Sequence, residues 1–365
     1  MATYIKDYFV KIADFRQLKK CKHHLSDILL IGLCTYLSNG QDYEDMVLFA
    51  QTHGDSLSEL LDLPNGVPSH DTFRRVFQML DCQYLRDILT AQGKAILDTL
   101  AEKQLCLDGK KLKGASPASR GNQGLWLVNA WVGENRLCVS EEKVTDKGNE
   151  IAAIALIIKA LDITDAVVTI DAIGCQRAIA EQIVAQKGHY LLAVKGNQGD
   201  LLDELVCAFK ACPAESNVES WEYERNRFES RKCSILSATS SIDSHFLKQW
   251  AGLSTLVKVV SSRFIGNKST EETRYYISDE SITNAAYFSG LAKGHWGIEN
   301  HLHWHLDVTF GEDACRVRTG NGPENLATLG KFALQLITHH NDRLSLKKRR
   351  VKAAYDVEYL KMLLE

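Results

Sequence analysis

QLCLDGKKLKG, residues 104–114, and AVVTIDAIG, residues 166–174, are the two stretches whose reading decides the fold. Each holds a short apolar run closed by an aspartate: Gln104–Leu107 by Asp108, and Ala166–Ile170 by Asp171. Apolar, partly β-branched runs of this length read as strands. Between them, Leu125–Val132 and Leu137–Val144 read as a hairpin, with Gly133, Glu134, Asn135 and Arg136 as its turn. A helix follows from Glu150 to Leu161, with Asn149 as its cap. Beyond Asp171 come a helix from about Gln176 to Gln186, a strand over Tyr190–Val194 and a helix from Asp200 to Ala211.

Three strands, then helix, strand, helix, strand and helix predict a ribonuclease H-like α/β core over residues 99–212. Its mixed sheet opens with antiparallel strands, continues through helical crossovers and carries helices on both faces. Residues 1–98 read as an all-helical N-terminal domain. There, His24–Leu37 is apolar-rich, with Ser26 or Asp27 as N-cap, and Pro68-Ser69 opens a helix buried through Phe73, Val76, Phe77 and Leu80. Arg74 and Arg75 lie off that stripe, as DNA contacts or as an ordinary solvated face. Residues 213–280 break the alternation with strand-like runs at Ser220–Tyr223, Ser230–Leu236, Leu256–Phe264 and Glu272–Ile277, a β-rich insertion. Residues 281–342 return to helix as a second part of the core, and 343–365 read as a basic C-terminal tail.

Composition narrows the function classes. The chain has 365 residues, 45% apolar and 24% charged, ordinary for a globular protein with a substantial core. No apolar run approaches membrane-helix length, and the N-terminal residues lack a secretion-signal layout, so a cytoplasmic protein is expected. The ten cysteines are scattered without the spacing of a zinc knuckle or redox motif. A net charge of −3 gives nucleic-acid binding no general support, so positive charge must be local. Lys110, Lys111 and Lys113 form one cluster, and Arg343–Lys352 forms another with six basic residues.

Asp108 and Asp171 end neighbouring strands, where side chains face the crevice in which α/β sheets bind ligands. Two adjacent carboxylates repel unless a cation sits between them, and hard oxygen ligands suit Mg²⁺ or Mn²⁺. Two such ions can activate an attacking oxygen and stabilise a leaving one, which is phosphodiester chemistry. A strand-end aspartate also serves as a cap or turn former, so a third group must decide. It lies in HWGIENHLHWHLD, residues 295–307, where Glu299 projects from a helix laid across the sheet. On an α-helix His301 and His305 share a face and His303 lies opposite, and no HExxH zinc motif is present.

Pro68–Phe73, Leu107–Lys110, Asn149–Ile151, Ile170–Ala172, Tyr190–Gln198, Tyr275–Ser278, His295–Asp313 and Pro323–Leu326 together resemble the DDE transposases of bacterial insertion sequences, of the H-repeat-associated type. The resemblance spans nearly the whole chain. It implies Asp108, Asp171 and Glu299 as the metal-binding catalytic acids, with Mg²⁺ as cofactor and Mn²⁺ as substitute. It implies an endonuclease that cuts and rejoins double-stranded DNA at terminal inverted repeats and joins it to target DNA. Handling two ends together calls for a homodimer on DNA. Lys110, Lys111, Lys113 and Lys195 are then expected on phosphates, Asn197 and Gln198 on sugars or base edges, and His295 and Trp296 on DNA beside Glu299. Of Trp296 and Trp304, one is expected in the core and one stacked on a flipped base. Related transposases place Tyr, Arg and Lys around the final Glu; here those positions are Ala292, His295 and Leu306, with Lys293 or His295 as substitutes. Glu150 is a candidate fourth carboxylate, or a helix N-terminal acid favoured by the dipole. A nuclease without strand transfer, and an inactive DNA-binding relic or repressor, are the alternatives.

Overall fold

The computed structural model describes residues 5–116, 124–144, 150–224, 227–266, 268–281 and 283–365. Asn149, the expected helix cap, lies outside the described residues. The strands are β1 (Gln104–Leu112), β2 (Leu125–Val132), β3 (Leu137–Val144), β4 (Val167–Ile170), β5 (His189–Val194), β6 (Ser216–Glu224), β7 (Arg227–Ser237), β8 (Thr255–Ile265) and β9 (Lys268–Ser278). The helices are α1 (Ile5–Val10), α2 (Leu25–Leu37), α3 (Tyr43–His53), α4 (His70–Met79), α5 (Cys82–Ile96), α6 (Glu150–Ala160), α7 (Arg177–Ala185), α8 (Gly199–Ala211), α9 (Ala238–Ser241), α10 (Ser244–Gln249), α11 (Ala285–His295), α12 (Gly322–His339), α13 (Leu346–Tyr355) and α14 (Val357–Leu363).

The nine strands form one sheet in the order β3-β2-β1-β4-β5-β9-β8-β7-β6. β1, β2 and β3 are antiparallel neighbours, while β4 and β5 join β1 in parallel through α6 and α7. The insertion does not stand apart. Its last strand, β9, pairs antiparallel with β5, and β8, β7 and β6 extend the same sheet outward. The expected insertion runs are the cores of these longer strands, because hairpin pairing carries the ladder into polar residues that show no apolar pattern.

β1 also outruns its expected end. It pairs with β2 as far as Leu112↔Leu125, but with β4 only as far as Leu107↔Ile170. Asp108 therefore lies mid-strand, at the point where the parallel neighbour stops.

α6, α7 and α8 cover one face of the sheet, with Ile154, Ile157, Ile158, Ile179 and Leu205 in its core. α11 covers β4, β5 and the insertion strands on the other face through Phe288 and Leu291. The rest of that second face carries the helical N-terminal region. α2 is buried almost all round, as its apolar run from Ile28 to Cys34 requires. No side-chain cap starts it: His24 is the N-cap residue, and Asp27 is instead buried in an ion pair with Lys6, 3.0 Å. Ser69 caps α4, whose Phe73, Val76 and Phe77 are buried as the stripe predicts.

α12 holds these helices to the sheet. It is buried along most of its length and packs on α2, α4, α5 and β3. Asn325 donates to the carbonyls of Phe77 and Leu80 at the end of α4, 2.8 and 2.9 Å, and Glu324 accepts from Arg86 of α5 and from Lys143. Residues 343–365 are not a free basic tail. α13 and α14 pack back on the N-terminal helices, and Arg349 and Arg350 are buried. Arg350 donates to the carbonyls of Tyr36, Gly40 and Thr309 and stacks on Phe310. No helix among the described residues is long and apolar enough to cross a membrane.

Candidate active site

Sheet register brings the acids together. Cys106 lies beside Thr169 and Leu107 beside Ile170, so one residue on Asp108 and Asp171 emerge side by side. Side chains alternate along a strand, so both aspartates share the face of Cys106 and Thr169, which α11 covers. Glu299 comes from above. After His295 the chain widens into π-helical turns, Ile298–His303 and His305–Thr309, which bury Ile298, Leu302 and Leu306 and present Glu299 to the sheet. Asp108, Asp171, Glu299, Lys195, Arg274, His295 and Trp296 line one cavity of about 470 Å³.

The acids are close enough to disturb each other. Burial, then Glu299, then Glu150 and Asp171 push the Asp108 carboxyl up to about 7, against the pull of the Gly109 N–H. Burial also raises Asp171, but the Ala172 N–H and Lys195 outweigh it and hold that carboxyl below its usual range. Lys195 Nζ stands 3.2 Å from Asp171. Glu150 is raised by burial and then by Asp171. Its carboxylate occupies the space where a Cβ on residue 109 would sit, so a side chain at 109 would push it aside. The donors are all hard oxygens, which fit Mg²⁺ or Mn²⁺. Asp108, Asp171 and Glu299 line the cavity and Glu150 does not, and the acids do not converge on one point: among the described residues, no three His, Cys, Asp or Glu side chains stand together at ligating distance.

His303 was not anticipated at this site. Its Nδ1 lies 3.6 Å from Asp108 and its Nε2 3.3 Å from the amide of Asn129, the cross-strand partner of Asp108. Burial, then Lys110 and Lys331 lower its pKa to about 3, so it is neutral. Its position four residues after Glu299 was the available signal, because such pairs share a helix face. Asn129 pairs in turn with Glu141 on β3, and Glu141 is buried against Lys331 of α12 at 2.6 Å. The one polar residue inside LWLVNAWV, residues 125–132, marked that row.

Several expected DNA contacts are engaged elsewhere. Lys110 is buried and paired with Asp307 at 2.6 Å and with Glu312, so it clamps β1 to the segment after Glu299. Asn197 donates to the Ala172 carbonyl, 2.6 Å, and Gln198 to the Cys175 carbonyl, 2.9 Å, bracing the loop behind Asp171. His295 bonds Thr169, 3.0 Å, and burial lowers its pKa to about 4. Neither Trp296 nor Trp304 is in the core; both are exposed, and the buried tryptophans are Trp131 and Trp250. Trp296 lies under the Arg274 guanidinium, 4.1 Å from its ring centre. Lys113 is exposed but paired with Asp313, 2.7 Å, and Lys111 approaches the Trp126 ring. Arg74 and Arg75 are exposed on α4, Arg74 paired with Asp71. Ala292 and Leu306 are buried, and neither lines the carboxylate cavity.

A mixed sheet with paired acids at neighbouring strand positions and a third from a covering helix defines a class. The family model described as "Transposase DDE domain" matches residues 99–336, and the associated model, "DDE_Tnp_1-associated", matches residues 6–91. The chain belongs to the DDE transposases. Within them it is of the H-repeat type. It is 34% identical over 368 residues to the "H repeat-associated putative transposase YhhI" of Escherichia coli K12, covering 96% of this chain and 94% of that one. It is 32% identical over 371 residues to "Putative transposase YncI" of Escherichia coli O157:H7, covering 98% and 93%. A protein of Xanthobacter autotrophicus is 38% identical over 287 residues, covering 76% of this chain and 94% of that one.

Proposed function

We propose that this protein cuts and rejoins DNA at the ends of an insertion sequence. Asp108, Asp171 and Glu299 are the catalytic and metal-binding acids in this reading, and Glu150 is a fourth carboxylate beside them. The observation that carries it is the register of β1 on β4, which sets two aspartates side by side in one cavity with Glu299. The strand order β3-β2-β1-β4-β5, with its antiparallel start and parallel continuation, supports a ribonuclease H-like core.

Two Mg²⁺ or Mn²⁺ ions held by these carboxylates would supply activation of the attacking oxygen and charge neutralisation at the leaving one. The chain's own groups do the rest. Asp171, held ionised by Ala172 and Lys195, is ready to ligate. Asp108 must give up a proton to do so, and His303, neutral and 3.6 Å away, adds no competing positive charge beside it. Exposed Arg74 and Arg75 are candidates for contacting the DNA end, in an N-terminal region clamped to the catalytic part through α12. Two ends are joined in one reaction, so a dimer on DNA is part of the proposal.

The test is cleavage of a labelled duplex carrying the DNA that flanks the gene, with Mg²⁺, Mn²⁺ or EDTA. Asp108→Asn, Asp171→Asn and Glu299→Gln should each abolish metal-dependent nicking and strand transfer while retaining binding. Binding by the unaltered protein with no cleavage under any metal would point to the inactive DNA-binding reading. Nicking without joined product would point to a simple nuclease.

A further inference from the structure

Within that reading, the positive charge that grips the reacting strand has no obvious source. Near Glu299, His295 is tied to Thr169 and Leu306 is buried. Lys110 and Lys113 are neutralised by Asp307, Glu312 and Asp313, and Lys293 by Glu222.

We propose that Arg274, contributed by the insertion strand β9 and seated on Trp296, is a phosphate-binding residue of the active site, with Lys195 beside it. Four acids line the cavity, Asp108, Asp171, Glu272 and Glu299, and its only lysine or arginine side chains, among the described residues, are Lys195 and Arg274. Sheet register makes them neighbours. β5 and β9 pair as far as Val194↔Tyr275, so the next step along each strand is Lys195 and Arg274, on the face that carries Asp171. β9 thus delivers an arginine to the rim of the carboxylate cavity from the strand next to β5.

The guanidinium is preorganised for a bidentate anion. Trp296 fixes its plane by stacking at 4.1 Å. Glu272 accepts from Nε at 2.8 Å and from Nη2 at 3.1 Å, which is the fork geometry a phosphodiester's two free oxygens adopt. Glu272 is on the same strand face, two residues away, and its side chain is 58% exposed, so it can swing into solvent when a phosphate takes its place. In this arrangement Glu272 is a stand-in for the ligand, and the anion it stands in for is a DNA backbone phosphate next to the scissile one.

The experiment is the affinity of full-length protein for the gene-flanking duplex, by fluorescence anisotropy across a salt series, for wild type, Arg274→Gln, Arg274→Lys and Glu272→Gln. Arg274→Gln should weaken binding roughly tenfold and make the slope of log affinity on log salt shallower by about 0.9, the signature of one lost phosphate contact. Arg274→Lys should keep the slope, and Glu272→Gln should bind a few-fold tighter because the competing carboxylate is gone. The Glu272 variant alters only an exposed rim residue, so it reports even if the Arg274 variants fold poorly. Wild-type binding with an unchanged slope in Arg274→Gln, or weaker binding in Glu272→Gln, overturns the assignment of Arg274 and leaves the transposase reading intact. A wild type that binds no DNA overturns both.

Discussion

Asp108 carries the clearest electrostatic cost at a single residue. Its carboxyl is raised to about 7 in the folded protein, whereas an unfolded chain titrates near its ordinary value of about 4. The folded state therefore holds a proton that the unfolded state has lost in that window. The stability tied to this proton is present in acid and is lost as pH rises through about 7. Metal-free wild type should consequently lose melting temperature between about pH 4 and pH 7 relative to Asp108→Asn. At the upper end the variant should be the more stable by at most about 4 kcal/mol, and Mg²⁺ should raise the melting point of wild type alone. Equal melting curves for the two proteins across that range would remove the electrostatic strain from the account. Gly109 gives a second residue-scale expectation. Gly109→Ala must displace the Glu150 carboxylate, so Mn²⁺ binding followed by electron paramagnetic resonance should weaken with all three principal acids intact. Unchanged Mn²⁺ affinity would place Glu150 outside the metal site.

Among elements, α12 and β3 share the most demanding contact. Lys331 and Glu141 are both fully buried and 2.6 Å apart, and Thr328 donates to the same carboxylate. Removing one partner leaves a bare charge in the interior, so Lys331→Met should destabilise by about 3–5 kcal/mol in denaturant titration. Lys331→Met with Glu141→Leu should recover most of that loss, because a well-packed apolar pair replaces the ions without leaving a charge behind. A double variant as unstable as the single one would mean the pair is needed for packing rather than for mutual neutralisation. The π-helical stretch after α11 is the other element that sets the site. Its i→i+5 bond from Phe310 N–H to the His305 carbonyl, 3.0 Å, belongs to wider turns than an α-helix would make. Those turns bury Leu302 and Leu306 while Glu299 and His303 both reach the Asp108 row.

For the whole molecule, the C-terminal helices close a circuit that begins at α1. Arg350 ties α13 to the end of α2 through Tyr36 and to the π-helical segment through Thr309. Loss of residues 343–365 should therefore do more than trim positive charge. The truncated protein should show an added early melting step in calorimetry, because the core around α2 would be opened. A single transition unchanged from full length would mean that α13 and α14 are accessory.

The strand–helix order from Gln104 to Ala211 was legible because it is written in local patterns: apolar runs of strand length, helix periodicity and turn residues. Those same runs put Asp108 and Asp171 at the ends of apolar stretches, and the parallel pairing of β1 with β4 sets the two side by side. What sequence could not reveal was where the charges go. Lys110, Lys111 and Lys113 read as a basic cluster, yet the fold spends Lys110 on Asp307 and Glu312, acids some 200 residues further along. Arg349 and Arg350 read as a solvated tail and are interior hydrogen-bond donors. Arg274 carried no signal in its strand and ends at the cavity because β9 happens to pair with β5. Backbone conformation follows from neighbours in the chain and so is read in sequence. The partner of a charged side chain is decided only when distant segments meet and burial makes an unpaired charge intolerable.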